Sequence, residues 1–238
     1  TGNQNCAPSA LFVRMFRINR GSTKAMYHII MNPGSKSGKG MSIWQSLESI
    51  LSERKVSYQL YESTHIGHVT ELVRQITSTG RPANLIILGG DGTVNEALQG
   101  IENFELVSIG YIPTGSSNDL ARALKLSADP KELLLHILEE SNPHMIDLGI
   151  LTYESNADVT SRLHSHPTHR SRYFIVSSGI GFDAAVCEEA LASKFKNVLN
   201  KIGLGKLTYL GIALKQLIKA KKVTCTITLD DKKKIHLP

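Results

Sequence analysis

Long apolar runs are absent from these 238 residues: none reaches the roughly 18 residues that a bilayer span needs, so no transmembrane helix is expected. Cysteine is scarce. Cys6, Cys187 and Cys225 are odd in number, far apart and form no CxxC pair. That pattern builds no disulfide framework, and the three read as reduced, small buried hydrophobes in a cytoplasmic protein. Aromatic residues make up only 6% of the chain. The first 25 residues carry basic groups but no long apolar core, so they make a poor secretory signal. They also lack a sustained period, and Met26 stands just before the first clear strand. Residues 1–25 are therefore expected to be an unstructured leader or appendage.

Acidic charge is missing from one stretch in particular. Between Ser193 and Lys234 eleven lysines face only Asp230 and Asp231, a net of +9, whereas the whole chain carries +6. The remainder is slightly acidic, at −3 (6 minus 9). Such local basic charge suits an anionic partner, a membrane face or nucleic acid, or else is a solvated lysine face. The same segment holds Leu207, Leu210, Leu214, Leu217 and Ile218 at amphipathic spacing, which tips the reading toward a membrane. Core packing is the commoner use of such a stripe.

From Met26 onward strands and helices alternate. YHIIMN, VSYQLYES, residues 85–88 and LVSIGYI read as strands, and each is followed by a helical pattern. Trp44, Leu47, Ile50 and Leu51 mark one helix face, Val69, Leu72, Val73 and Ile76 another, and a third helix begins near residue 94. This βαβα rhythm with apolar strands argues a mostly parallel sheet covered on both faces. After DPKELLLHILEE the texture changes, and a domain boundary is placed near residues 143–147. Beyond it VTCTITL sets Val223, Cys225, Ile227 and Leu229 against three threonines, the pattern of a half-buried antiparallel strand. The polar stretch between, ESNADVTSRLHSHPTHRSR, reads as a linker. Its His164, His166 and His169 lack the fixed geometry that a metal site needs.

Two glycine turns carry the chemistry. In LIILGGDGTVNEAL an apolar strand runs into Gly89, Gly90, Asp91 and Gly92, and a helix follows. Without Cβ atoms such a turn lets the backbone approach a ligand closely, and the helix start offers unpaired N–H groups and a positive dipole end. Together these make a phosphate site; the plain alternative is a tight turn. A dinucleotide fingerprint is excluded, because Asn95 replaces the third glycine and the next strand ends at Gly110 and Tyr111 without an acid. GSKSGKG is no Walker A loop either: three residues separate Gly34 from Gly38, and Gly40 stands where Ser or Thr should hold magnesium. Asp91 would repel a bare pyrophosphate but suits a phosphate carrying Mg²⁺. PTGSSNDLAR repeats the strand–turn–helix design, with Asp119 in the first helical turn and Asn118 or Ser117 as the expected cap. Adjacent parallel strands would bring Asp91 and Asp119 to one edge, as a Mg-nucleotide site for phosphoryl transfer requires.

In order and spacing NPGSKSGKG, GGDGTVNEAL and PTGSSNDLAR, joined by IDLG at 146–149 and SSGIGFDAAV at 177–186, resemble the diacylglycerol kinase catalytic domain over about residues 26–230. The resemblance implies a nucleotide-binding α/β domain at 26–145 and a mainly antiparallel β-sandwich domain at 146–238, incomplete here, with ATP in the cleft between. It implies an ATP- and Mg²⁺-dependent kinase that transfers the γ-phosphoryl group to a hydroxyl of a membrane lipid such as diacylglycerol. By position, Gly90, Asp91, Gly92, Thr93, Val94, Asn95 and Glu96 would hold the phosphates, and Thr64 and Ser116 would be further ATP contacts. Asp91, Asp119 and Asp147 match an acidic magnesium and water network, with Asp91 meeting the metal through Mg-ATP. Without the resemblance Asp147 is an ordinary strand-end residue. The expected partners are a lipid substrate and an anionic membrane surface met through residues 193–234, not nucleic acid. The expected location is cytoplasmic, at the inner membrane face, and a homodimer is left open. The family's general base, an acid beside a glycine, would lie beyond Pro238, so no base is assigned and the reading frame is expected to continue. Two other classes compete: a soluble small-molecule kinase of the NAD-kinase kind, and a non-catalytic nucleotide-binding regulator.

Overall fold

The computed structural model describes residues 12–15, 26–35, 40–139, 144–155, 168–192, 205–219, 224–230 and 232–237. The chain falls into two compact units, 1–177 and 178–238. The first opens with β1 (Phe12–Met15) and continues β2 (Met26–Met31), α1 (Gly40–Glu53), β3 (Ser57–Glu62), α2 (His68–Thr77), β4 (Ala83–Gly89), α3 (Asp91–Gly100), β5 (Val107–Pro113), α4 (Asp119–Ala123), α5 (Pro130–Glu139), β6 (His144–Asp147), β7 (Gly149–Ser155) and β8 (Thr168–Phe174).

One six-stranded sheet runs in the order β3-β2-β4-β5-β1-β6. Its first five strands are parallel, and β6 runs antiparallel to β1. Strand β4 explains why the centre is parallel: Leu85, Ile86, Ile87 and Leu88 are all buried, so both faces of the strand are covered. The covering helices bury the faces that their periodicity marks, Trp44, Leu47 and Leu51 on α1 and Val69, Val73 and Ile76 on α2. At roughly 25 cal/mol per Å², fully burying each such side chain is worth about 1.5–3 kcal/mol.

Four sequence expectations are corrected. Residues 12–15 are not part of an unstructured leader: β1 enters the main sheet, pairing Arg14 with Ser108 and Phe12 with Asp147. The first unit extends past the expected 145/146 boundary to Ser177, because Leu148 is buried in its core and β8 is tied to α3. There the Gln99 carboxamide donates to the Tyr173 carbonyl (2.9 Å) and accepts from the Tyr173 N–H (3.0 Å), and Tyr173 packs edge-on against Phe104. The ends of the expected polar linker are strand, since Glu154 pairs with His169 and Leu151 with Arg172; His164 and His166 lie outside the described residues. Two of the cysteines expected to be buried are not: Cys187 is exposed and Cys225 half-buried, while Cys6 lies outside the described residues.

In the second unit α6 (Phe182–Ala192) packs on α7 (Gly205–Lys219), and β9 (Cys225–Leu229) pairs with β10 (Lys233–Leu237) in a hairpin. Glu189 joins the helices by accepting from Lys215 and from the Gln216 carboxamide (2.6 Å). The hairpin turns at Asp230, whose φ is 48°. Outside the six-stranded sheet, the described antiparallel strands thus form two separate pairs, β7–β8 and β9–β10. Ile227 and Leu229 remain exposed, so the face expected to be half-buried is open among the described residues. Leu214, Leu217 and Ile218 on α7 are also exposed. No helix among the described residues is long and apolar enough to cross a membrane.

Candidate functional site

Parallel strands end together, and here they end in loops of small and polar residues. β2 leads through α1 outward to β3, whereas β4 leads through α3 to β5 on the other side, so the chain reverses direction across the sheet between β2 and β4. A crevice at the carboxyl ends of the strands opens at such a switch point. Asn32 and Gly89–Thr93 face each other across it. Asn32 N–H donates to the Leu88 carbonyl (3.0 Å), and its carboxamide nitrogen reaches Thr93 Oγ1 (3.5 Å). The Asn32 carboxamide oxygen also accepts from Gly34 N–H (3.0 Å), while Ser35 Oγ lies 2.7 Å from Oγ1 of the fully buried Thr114. The loops after β2, β4 and β5 are thereby stitched into one rim.

Asp91 is the central stitch. Helix α3 starts at Asp91, earlier than expected, because Gly90 is its cap and the Gly90 carbonyl accepts from Thr93 and Val94. From this first turn the Asp91 carboxylate crosses to the next turn. Its Oδ2 accepts from Asp119 N–H (2.9 Å) and its Oδ1 from Leu120 N–H (3.1 Å). The cap of α4 is therefore Asp91, not Asn118 or Ser117 as the local sequence suggests. The Asn118 side chain turns back instead, accepting from Gly115 N–H (2.9 Å) and donating to the Gly115 carbonyl (3.0 Å). That pairing holds Asn118 at φ 51°, a left-handed conformation that Asn tolerates better than most residues. The glycines let the two turns meet: a Cβ on Gly115 would lie 2.6 Å from the Gly90 Cα and 2.6 Å from Asn118 Oδ1.

Beneath the turns sits Tyr111, wholly buried, with its hydroxyl 3.5 Å from Asn118 Oδ1. Burial holds its proton well above the usual phenol range, and the charges of Asp91 and Asp119 add to that effect. It is therefore a neutral donor under all ordinary conditions. Asp119 itself makes an exposed ion pair with Arg122.

The structure sorts the expected site residues. Asp91, Asp119, Gly90, Gly92, Thr93 and Ser116 lie on the rim, with Ser116 exposed at the turn tip and nothing within 4 Å of a Cβ built on Gly92. That open space lies at the head of α3, where the first amides have no partner within the helix, and it fits a phosphate. A divalent cation fits too, because each Asp91 oxygen accepts one bond and retains a further lone pair. Val94 is fully buried, so its side chain belongs to the core. Asn95 is half-buried, its carbonyl accepting from Gln99 (2.9 Å). Glu96 accepts from Gly67 N–H (3.0 Å) and so ties the β3–α2 loop to α3. Thr64 lies in that loop, exposed, with its N–H donating to His68 Nδ1 (3.1 Å).

Asp147 is not brought to the rim. It pairs with Phe12, and β1 runs parallel to β5 in the register Arg14 with Ser108, so Asp147 lies level with the start of β5. From there to Pro113 is roughly 20 Å of strand at about 3.3 Å per residue. The sequence reading in turn passed over Asn32, Ser35, Thr114 and Tyr111. The first three stand in or beside the quoted glycine motifs, so their position was a signal; Tyr111 looks like any strand aromatic.

With this geometry in place, the comparisons with known proteins define the class. The diacylglycerol kinase catalytic domain family matches residues 26–151, more than half of the chain, and the chain belongs to that family. Over 187 residues it is 27% identical to "Putative lipid kinase YtlR" of Bacillus subtilis (strain 168), covering 77% of this chain and 56% of that protein. It is 28% identical over 193 residues to "Probable diacylglycerol kinase 3" of Caenorhabditis elegans, covering 76% of this chain and 24% of that one. It is 27% identical over 118 residues to "Sphingoid long-chain bases kinase 1" of Arabidopsis thaliana, covering 47% of this chain and 16% of that one. The matches thus span little more than half of the first relative and a quarter or less of the other two.

Proposed function

We propose that this chain carries the nucleotide-binding part of an ATP-dependent lipid kinase, which transfers the γ-phosphoryl group to a hydroxyl of a membrane lipid such as diacylglycerol. The observation that carries the reading is the Asp91 bridge, which joins both glycine turns at the switch point of a lipid-kinase-family domain. The amides at the head of α3 and the Gly90–Gly92 backbone hold the phosphates, with Thr93, Asn95, Glu96, Thr64 and Ser116 around them. Magnesium, when bound with ATP, neutralises phosphate charge and polarises the transferred group. Asp91, which already accepts from two amides, would help to hold that magnesium, with Asp119 beside it. In the transfer the lipid oxygen bonds to the γ-phosphorus, the bond to the β–γ bridging oxygen breaks, and ADP leaves. The hydroxyl proton passes to a base that none of these turn residues supplies. The lysines of 193–234, with exposed Leu214, Leu217 and Ile218, favour docking on an anionic membrane at the cytoplasmic face.

The test is a Mg-ATP titration of this chain, with phosphorylation assays on diacylglycerol micelles and on NAD. Mg-ATP binding, and turnover of lipid in preference to NAD, are expected. Turnover of NAD in place of lipid, or no nucleotide binding, would overturn the proposal.

A further inference from the structure

The β3–α2 loop gathers three metal-ligating side chains that the phosphate site does not use. His65, His68 and Glu71 each offer one ligand atom, and these atoms all lie within 4.8 Å of one another. Local structure brings them together. Gly67 at φ 90° folds the loop back, and His68 N–H closes it on the His65 carbonyl (3.2 Å). The imidazoles stack with centroids 4.7 Å apart and 18° between planes. Glu71 follows His68 by one helical turn and so shares its face of α2.

We propose that His65, His68 and Glu71 form a divalent transition-metal site of the zinc class, which pins the β3–α2 loop at the edge of the phosphate cradle. Two imidazoles and one carboxylate are a zinc-type donor set, and three protein ligands leave a fourth position for water. Zinc–ligand bonds of about 2.0–2.2 Å set tetrahedral ligand separations of roughly 3.3 Å, so the side chains must close by up to about 1.5 Å. His65 and Glu71 are exposed and reach this by rotation.

The hydrogen bond of His65 fits that role, and that of His68 must change with it. His65 Nδ1 lies 3.1 Å from the Ile66 carbonyl, which only an N–H can satisfy, and this presents the lone pair of Nε2 outward. His68 Nδ1 is 3.1 Å from both Thr64 N–H and Thr64 Oγ1. Without metal it accepts from the amide, which leaves the ring proton on Nε2. Metal on Nε2 requires that proton to move to Nδ1 and be donated to Thr64 Oγ1, and the Thr64 amide must then turn away from the ring. Metal loading thus changes the bonding of Thr64. The loop is held from the other side by Gly67 N–H on Glu96 (3.0 Å) and by the Thr70 hydroxyl on the Glu96 carbonyl (2.8 Å). The site is therefore coupled to α3 whether or not the chain phosphorylates a lipid.

The experiment is a Co²⁺ titration of the whole, metal-stripped chain, read by the visible d–d bands of four-coordinate cobalt, then displacement by Zn²⁺. One equivalent is expected, with affinity falling at least tenfold in both His65→Gln and Glu71→Gln while far-UV circular dichroism is unchanged. Both positions are exposed, and if one variant fails to fold the other carries the comparison. Absence of the cobalt bands, or bands of equal strength and affinity in the folded variants, would overturn the proposal and place any bound metal elsewhere.

Discussion

Asp91→Asn tests the bridge between the two glycine turns directly. In the parent each carboxylate oxygen accepts one backbone N–H of α4, from Asp119 at 2.9 Å and Leu120 at 3.1 Å. Asparagine keeps one oxygen and turns its NH₂ toward the other amide, donor against donor. One charge-assisted bond becomes neutral and the second is lost. Bonds to charged groups are worth about 1.5–3 kcal/mol, and water reaches this half-buried site, so a net loss of roughly 1–3 kcal/mol is expected. For a chain of this size that lowers Tm by about 2–12 °C. The two compact units need not unfold together, so hydrogen exchange is the sharper measurement. The Asp119 and Leu120 amides should exchange about 5- to 150-fold faster, at 1.4 kcal/mol per factor of ten, while β4 and β5 stay protected. On the proposed function the same variant should also lose phosphoryl transfer, by several kcal/mol of transition-state stabilisation. Parent-like exchange at Asp119 and Leu120, together with near-normal turnover, would refute the reasoning.

Gly115→Ala should lower Mg-ATP affinity at least tenfold in a calorimetric titration. The new Cβ meets the Gly90 Cα and must push the two turns apart, and the associated strain is about 1–3 kcal/mol of stability by denaturant unfolding. Tyr111 binds its proton more tightly folded than unfolded, so the native state holds more protons above about pH 10, where free phenols titrate. Stability should therefore fall as pH rises beyond that point. Tyr111→Phe should blunt the fall in urea titrations at high pH, with under about 1 kcal/mol lost at neutral pH because its hydrogen bond is long. The lysine-rich 193–234 segment should sediment the protein with anionic vesicles at low salt, each lysine near the surface contributing about 1 kcal/mol, and release it at high salt. Equal sedimentation with neutral vesicles would show that charge is not the cause.

Much of the site was legible because its signals are local. Apolar β4 and β5 announce buried parallel strands, and the glycines after each announce turns where backbones approach closely. Parallel neighbours must end at one edge, so Asp91 and Asp119 meet there. The direction and order of strands recruited from afar were not legible. Whether residues 12–15 form a strand depends on an open place beside β5, and whether Asp147 reaches the site depends on the direction of β6; neither is written within a turn or two of those residues. The cap of α4 shows the same limit in miniature. Asn118 and Ser117 have the right chemistry at the right local position, yet Asp91 makes the cap from 28 residues away. Its carboxylate carries the charge that the helix start attracts, and only the packing of one glycine turn against the other brings it within reach.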